Sequence, residues 1–307
     1  MVEEKNKKRV GILRGGMGDF YETSLKEGGD VILYLIENLS NQLKPVDILI
    51  DKEGIWHLGG IPISPSDLIN KVDVIWNATH LSFSNILENF SIPNIGGLTH
   101  SLSSGNARSV LQNEIKNIGI RMPNHIVLPL YQEDFDGPRE KYSIKKAKEI
   151  HAKFSSPWIV KSFTPDFSMG IHIANTFGEL VDAIEDGVKH KKSILVEEFV
   201  EGKETSMHTV SNFRGSNVYA FPPLEKFSSN EKEKLINFSK NLHNHLGASS
   251  YLKSNFILDS KKGIYLKNIE LSPQLEDNSH FHESCESVGA KKDDVILHIL
   301  ENAQNRE

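Results

Sequence analysis

Arg9-Val10-Gly11-Ile12-Leu13-Arg14-Gly15-Gly16-Met17-Gly18-Asp19 is the stretch whose reading decides the fold of the N-terminal part. Arg9 to Leu13 reads as a short buried strand, and the glycines that follow turn the chain sharply. From Ser24 to Leu39 the apolar residues Val31, Leu35 and Leu39 recur at helical spacing, and the pattern stops near Pro45. Val46 to Ile50 predicts a second strand and Val72 to Asn77 a third. Strand, helix and strand alternating at this pitch predict a parallel sheet with helices on its faces, a doubly wound α/β unit that closes near Ile92 to Gly97.

Beyond it the pattern changes. Thr99 to Asn106 is rich in Ser, Gly and Asn and predicts a loop that feeds a helix from Ala107 to Ile118. Pro123 to Pro129 and Glu133 to Lys141 read as connecting segments. Trp158 to Lys161 predicts a strand, Phe177 to Lys189 an amphipathic helix, and Ser193 to Val200 a strand turned at Glu201-Gly202-Lys203. Thr205 to Val210, Ser216 to Phe221, Tyr251 to Leu258 and Gly263 to Leu271 alternate like antiparallel strands, with a helix from Glu231 to Leu246 among them. The expected division is 1–97, 98–192 and 193–307, an α/β unit followed by an α+β remainder.

Composition narrows the function classes. The 307 residues carry 35 basic and 41 acidic side chains, a net charge of −6, with 38% hydrophobic residues. That balance is globular and lacks the clustered basic face that phosphate backbones need, so nucleic acid is not an expected partner. The run Val31 to Ile36 is far short of the ~20 apolar residues of a bilayer span. The charged start, Met1 to Arg9, is unlike a secretory signal, and a cytoplasmic protein is expected. One cysteine, Cys285, excludes an internal disulfide and a multi-cysteine metal site. His280-Phe281-His282 invites a zinc reading, but no H-E-x-x-H spacing supports it, and no G-x-S-x-G elbow marks a serine hydrolase.

Four constellations could carry chemistry. Gly15, Gly16 and Gly18 let backbone N–H groups approach an anion, although the spacing is not G-x-G-x-x-G. Lys161 sits in an apolar strand, where it is costly without a counter-ion. Glu197 and Glu198 point to opposite faces of one strand, and Glu204 follows just past a glycine turn. Glu270 and Ser272 share a face by period two, with Asn255 able to oppose them across a hairpin; such oxygen-bearing groups suit Mg²⁺.

In order, these blocks resemble the ATP-grasp superfamily and, within it, the D-alanine–D-alanine ligases, over most of the chain. Arg14-Gly15-Gly16 through Glu22-Thr23-Ser24-Leu25 is similar to the family's N-terminal glycine turn and helix start, which implies substrate contacts from Gly15, Gly16, Glu22 and Ser24. Ile95-Gly96-Gly97 to Arg108 resembles the segment that ends in a phosphate-binding basic residue. Pro157 to Lys161 looks like the strand whose lysine contacts the α/β-phosphates, with Ser168 in the phosphate loop. Ile194 to Glu204 resembles the strand and hinge that hold adenine (Glu197, Glu198, Val200) and ribose (Glu204). Lys253 to Glu270 resembles the metal-binding hairpin, which implies Mg²⁺ on Asn255, Glu270 and Ser272. Ser279 implies another substrate contact. The resemblance therefore implies an ATP- and Mg²⁺-dependent carboxylate–amine ligase of peptidoglycan biosynthesis acting on small amino-acid-like substrates, often a homodimer, with Lys161, Arg108 and Lys253 in the catalytic role. Lys161 is expected to serve chemistry alone, its replacement leaving thermal stability nearly unchanged.

The departures are specific. Lys253-Ser254-Asn255 stands for the family's Arg-x-Asp, and Glu270-Leu271-Ser272 for Glu-x-Asn. The phosphate loop reads Phe163 to Ser168 rather than Gly- and Ser-rich. Phe20 takes the place of a substrate-binding glutamate, for which Asp19 or Glu22 could substitute. The long covering loop is cut to Pro222-Pro223-Leu224-Glu225-Lys226. These changes support the alternative of a degenerate ATP-grasp protein that binds nucleotide without ligating. A sugar-nucleotide transferase ranks third, because the second half lacks a matching Rossmann unit.

Overall fold

The computed structural model describes residues 7–18, 20–96, 107–163 and 169–304. The expected loop from Thr99 to Asn106, Asp19 and the phosphate-loop residue Ser168 lie outside them. Contacts divide the chain into two compact units. The first holds Met1–Arg121, Glu204–Phe256 and Leu266–Glu307, and the second Met122–Lys203 and Ile257–Tyr265.

In the first unit the N-terminal stretch forms β1 (Lys8–Gly15), α1 (Tyr21–Asn38) and β2 (Leu43–Ile50), then β3 (Trp56–Leu58), β4 (Ile61–Ile63), β5 (Val74–Asn77), α2 (Ser82–Asn89) and β6 (Asn94–Ile95). The sheet runs β4-β3-β2-β1-β5-β6, with β2, β1, β5 and β6 parallel and β3 and β4 returning antiparallel at one edge. Alternation sorts its residues to two cores. Val10, Ile12, Val74 and Trp76 meet Val31 and Leu35 of α1 on one face, while Leu13 and Ile75 meet Phe83 and Leu87 of α2 on the other. The doubly wound unit expected from the sequence is therefore present. Its first face is also covered by the last helix of the chain, α9 (Lys292–Gln304), through Val295, Ile299 and Leu300.

The same unit holds α3 (Ala107–Lys116) and most of the antiparallel sheet β12-β11-β13-β14, made by β11 (Lys203–Phe213), β12 (Ser216–Ala220), β13 (Tyr251–Asp259) and β14 (Gly263–Glu270). Helix α7 (Ser229–His245) starts on a capping box between Ser228 and Glu231, and α8 (His280–Ser287) starts on Ser279, whose hydroxyl accepts from the His282 N–H.

The second unit carries the sheet β7-β10-β8-β9, formed by β7 (His125–Leu128), β8 (Trp158–Ser162), β9 (His172–Ala174) and β10 (Ile194–Glu198). Two helices, α5 (Arg139–His151) and α6 (Phe177–Lys189), cover it through Tyr142, Ala147, Ile150, Leu180 and Ile184. Here the structure corrects the reading of Pro123 to Pro129 and Glu133 to Lys141 as connecting segments. His125–Leu128 is a strand paired antiparallel to β10, a short α4 (Glu133–Asp136) follows, and α5 begins at Arg139. Four residues between prolines show too little alternation to reveal a strand, and α5 buries only a thin stripe on a lysine-rich helix.

Gly15 is the backbone position on which the N-terminal turn depends. Its φ is +88°, and a Cβ there would lie 2.1 Å from the Ile50 carbonyl oxygen of β2. The Gly15 N–H donates to the Ser24 hydroxyl at 2.9 Å, which donates in turn to the Ala78 carbonyl at 2.6 Å, tying the turn to α1 and to the end of β5. Gly15→Ala should lower the unfolding free energy by about 1–3 kcal/mol from backbone strain, with the carbonyl clash in addition. Urea denaturation reads the loss; wild-type stability would show that the turn relaxes freely.

Candidate functional site

Each unit carries its own set of charged groups on a sheet face. In the second unit Lys161 lies opposite Leu195, two residues from Glu197, so period two puts Lys161 and Glu197 diagonally on one face. Their side chains meet, Lys161 Nζ to Glu197 Oε2 at 2.6 Å, with the Glu197 side chain 5% exposed. Strand β8 lies between β10 and β9, with β9 pairing Trp158 to Val160 and β10 continuing past Lys161 to Ser162. The counter-ion that an apolar strand demands is thus Glu197. This pair revises the expectation that Lys161 serves chemistry alone: it also neutralises a buried carboxylate.

Glu198 points to the other face, as alternation requires. Its Oε2 accepts from the Asn124 side-chain amide at 2.8 Å, and its Oε1 lies 3.4 Å from Lys262 Nζ. Val200 is buried in a small cluster with Ile257 and Tyr265. Gly202 has no room for a side chain, since a Cβ would stand 2.3 Å from the Leu258 carbonyl oxygen. The turn after β10 therefore runs directly against the backbone of β13.

In the first unit Glu204 receives both of its contacts from Lys267 Nζ, at 2.8 and 2.9 Å. The carbonyl of the same Lys267 accepts from Arg108 at 3.1 Å, which brings two expected site residues to one point of β14. Lys253 is buried, 8% exposed at its side chain, and its Nζ lies 3.0 Å from Glu270 Oε1 and 3.1 Å from Oε2. Asn255 joins them: its Nδ2 donates to Glu270 Oε1 at 3.1 Å and to Asn268 Oδ1 at 2.6 Å, while its Oδ1 accepts from the Ser206 hydroxyl at 2.5 Å. Ser272 is half-buried, two residues past the end of β14, and takes no part in this network. Glu22 is exposed and faces Lys52 at 3.3 Å. Ser24 and Ser279 spend their hydroxyls on local structure, the glycine turn and the α8 cap.

These contacts test the implied metal. Mg²⁺ takes oxygen ligands and favours carboxylates. The hairpin offers one, Glu270, whose charge Lys253 already balances. The Asn255 amide turns its N–H₂ toward Glu270, and its oxygen is held by Ser206. Flipping it would set its oxygen against both Glu270 and Asn268, so the network fixes the orientation. The donors thus fit a Mg²⁺ ion carried mainly by a nucleotide's phosphates, with Glu270 as the single anionic protein ligand. Among the described residues no group of three or more His, Cys, Asp or Glu is arranged to hold a metal, and no helix is long and apolar enough to cross a membrane.

Sequence reasoning did not reach the partners Asn124, Lys262, Lys267 and Ser206, nor the histidine line described below. Those partners are polar residues distant in sequence, and no local pattern distinguishes them from solvated ones.

The architecture is that of the ATP-grasp fold. Along its whole length the chain is similar to solved ligases of that class: the D-alanine-D-alanine ligase from Coxiella burnetii at a TM-score of 0.70 and 15% identity (98% of this chain, 94% of that one), and the Bacillus anthracis D-alanine–D-alanine ligase complexed with ATP at 0.65 and 19% (96% of each). Residues 115–225 match the family described as D-ala D-ala ligase C-terminus. The D-alanine–D-alanine ligase of Geotalea uraniireducens is 22% identical over 97% of this chain and 96% of its own length. The chain accordingly shares its fold with D-alanine–D-alanine ligases and is similar to them in sequence over almost its whole length.

The Lys161–Glu197 pair makes a stability prediction. Lys161→Met leaves a buried carboxylate without its ammonium, so it should cost about 3 kcal/mol, the lower end for a broken buried pair because Lys161 is partly exposed. Adding Glu197→Gln should recover much of that. An unchanged urea midpoint in the single variant would mean that the pair contributes nothing to folding.

Proposed function

We propose that the chain is an ATP-dependent carboxylate–amine ligase resembling D-alanine–D-alanine ligase. The observation that supports this reading is the presence, on a fold matched along almost the whole chain, of ion-paired cations on sheet faces at both positions, Lys161 with Glu197 and Lys253, in place of arginine, with Glu270. The segments 1–97, 98–192 and 193–307 divide the work. The first contributes Gly15, Gly16, Glu22 and Ser24 toward an amino-acid-like carboxylate. Lys161 and Ser168 serve phosphates, Glu197, Glu198 and Val200 the adenine, and Glu204 the ribose. Ser279 contributes a further substrate contact.

The chemistry follows from charge. The carboxylate oxygen attacks the γ-phosphorus of ATP, the bond to the bridging oxygen breaks, and ADP leaves an acylphosphate. The amine then adds to the acyl carbon and phosphate departs. In both steps negative charge moves among phosphate oxygens, so preorganised cations in a site of low dielectric contribute most. Lys161, Arg108 and Lys253 are those cations. Mg²⁺ bound to the phosphates with Glu270, and neutral donors from Asn255 and Ser272, would supply the remaining neutralisation.

The Lys253–Glu270 pair also favours a second reading, nucleotide binding without ligation, because it balances the one anionic metal ligand internally. Both readings expect ATP to bind, and calorimetry with millimolar ATP that gives no heat, with or without Mg²⁺, removes both. ADP release coupled to a panel of D- and L-amino acids separates them: turnover with a carboxylate and an amine supports ligation, and binding without turnover supports the second reading.

Asn255→Asp, together with Ser272→Asn, should lower the free Mg²⁺ needed for half-maximal ATP binding, because it restores a second carboxylate and an amide oxygen beside Glu270. A midpoint identical to wild type would mean that this end of the hairpin does not face the metal.

A further inference from the structure

Inside the first unit runs a line of hydrogen-bonded rings that the ligase chemistry above leaves unused. The Tyr251 hydroxyl of β13 lies 2.7 Å from His208 Nδ1 of β11, and His208 Nε2 lies 2.9 Å from His280 Nδ1 at the first position of α8. Tyr251 and His208 are fully buried, and Phe281 packs edge-on against both. The line ends at His280 Nε2, a buried nitrogen with no hydrogen-bond partner among the described residues, 3.6 Å from Glu225 Oε1. Glu225 is itself held in place, its other oxygen accepting from the Thr205 hydroxyl at 2.5 Å. His280 follows Ser279 directly, and Glu225 lies in the short segment Pro222 to Lys226 that stands where the family has a covering loop.

Packing alone does not account for this end of the line. Buried polar atoms are almost always satisfied, and a buried ring nitrogen 3.6 Å from a carboxylate, with no protein partner among the described residues, marks a place that a ligand group can complete. The two protein atoms select that group. A carboxylate or phosphate would be repelled by Glu225, whereas an amine meets an anion on one side and a ring nitrogen on the other.

We propose that Glu225 and His280 seat the attacking amine, with His280 as its base and His208 and Tyr251 as positioning residues; this rests on the ligase reading above. The base needs the tautomer in which His280 Nδ1–H donates to His208 Nε2 and His208 Nδ1–H donates to the Tyr251 oxygen, so that His280 Nε2 presents its lone pair. Glu225 pairs with the substrate ammonium. One N–H proton passes to His280 Nε2, giving an imidazolium and a neutral amine. The amine lone pair forms the bond to the acyl carbon, the carbon–oxygen bond to phosphate breaks with its electrons on phosphate, and the surplus proton on nitrogen leaves with that phosphate. The partly exposed His280 ring then releases its proton to water.

The electrostatics agree with a neutral ring. Burial holds His280 below the usual histidine range, with Lys253 pushing the same way and Glu225 and Glu283 opposing. Burial, then His280 and Lys253, keep His208 well below that range, and burial with Glu270 and Cys285 keeps the Tyr251 phenol protonated. At neutral pH both imidazoles are uncharged, and of their four nitrogens His280 Nε2 is the one outside the hydrogen-bonded line.

The test compares two nucleophiles in the full chain with ATP and Mg²⁺: D-alanine, which arrives as an ammonium, and hydroxylamine, which is neutral at pH 7 and needs no base. His280→Gln should lower the D-alanine rate about 10²–10⁴-fold more than the hydroxylamine rate and remove the acidic limb of kcat/KM for D-alanine. Glu225→Gln should raise KM for D-alanine while leaving that for ATP in place. Equal loss with both nucleophiles, or none, overturns the proposal. If the wild-type protein forms neither ADP nor hydroxamate, the ligase reading falls by itself, and ¹⁵N-histidine NMR decides the seat. A His280 resonance that moves on adding D-alanine, but not in Glu225→Gln, supports it, and an unmoved resonance overturns it.

Discussion

Glu197 is an anion on the inward face of β10, and it is tolerable there because Lys161 reaches it diagonally from β8. Removing a carboxylate from water costs several kcal/mol unless an opposite charge and good geometry compensate, so the sheet of the second unit has to hold those two strands in register. The same constraint recurs in the first unit, where Glu270 is matched by the buried Lys253 and by the Asn255 amide. Both sites are thus built as balanced charges on sheet faces rather than as clusters of like charge. Each ammonium is thereby held in place by a carboxylate.

The substitutions in the hairpin act together. Lysine for arginine gives a compact ammonium that sits against both oxygens of one carboxylate, where a guanidinium would present a broad fork. Asparagine for aspartate lets position 255 donate to Glu270 instead of repelling it. Ser206 completes the set by occupying the amide oxygen. Lys253 on Glu270, the Asn255 amide donating to Glu270 and Ser206 donating to Asn255 make a network of zero net charge.

The N-terminal turn shows the backbone under the same kind of necessity. Gly15 passes so near the Ile50 carbonyl that no side chain fits, and Ser24 holds the turn by accepting from one backbone group and donating to another. The glycine-rich sequence is therefore first a packing requirement of β1 against β2, and any ligand contact made there inherits a rigid backbone.

The sequence by itself determined the periodicities: the alternating sheet and helices near the N-terminus, the helix from Phe177 to Lys189, the opposite faces of Glu197 and Glu198, and the hairpin that sets Asn255 against Glu270. These are local or nearly local, since strand period and turn residues encode them within a few positions. The order of the motifs made the family resemblance legible for the same reason. Only the tertiary structure decided which charges meet. Asn124 reaches Glu198 from 74 residues away, Lys267 reaches Glu204 from 63, and His280 reaches His208 from 72. It also revealed the strand His125–Leu128, which pairing with β10 makes a strand, and the cover that α9 provides for the N-terminal sheet. Burial and pairing of polar groups are properties of a folded surface, and a sequence pattern carries the tendency to fold without the list of partners that folding brings into contact.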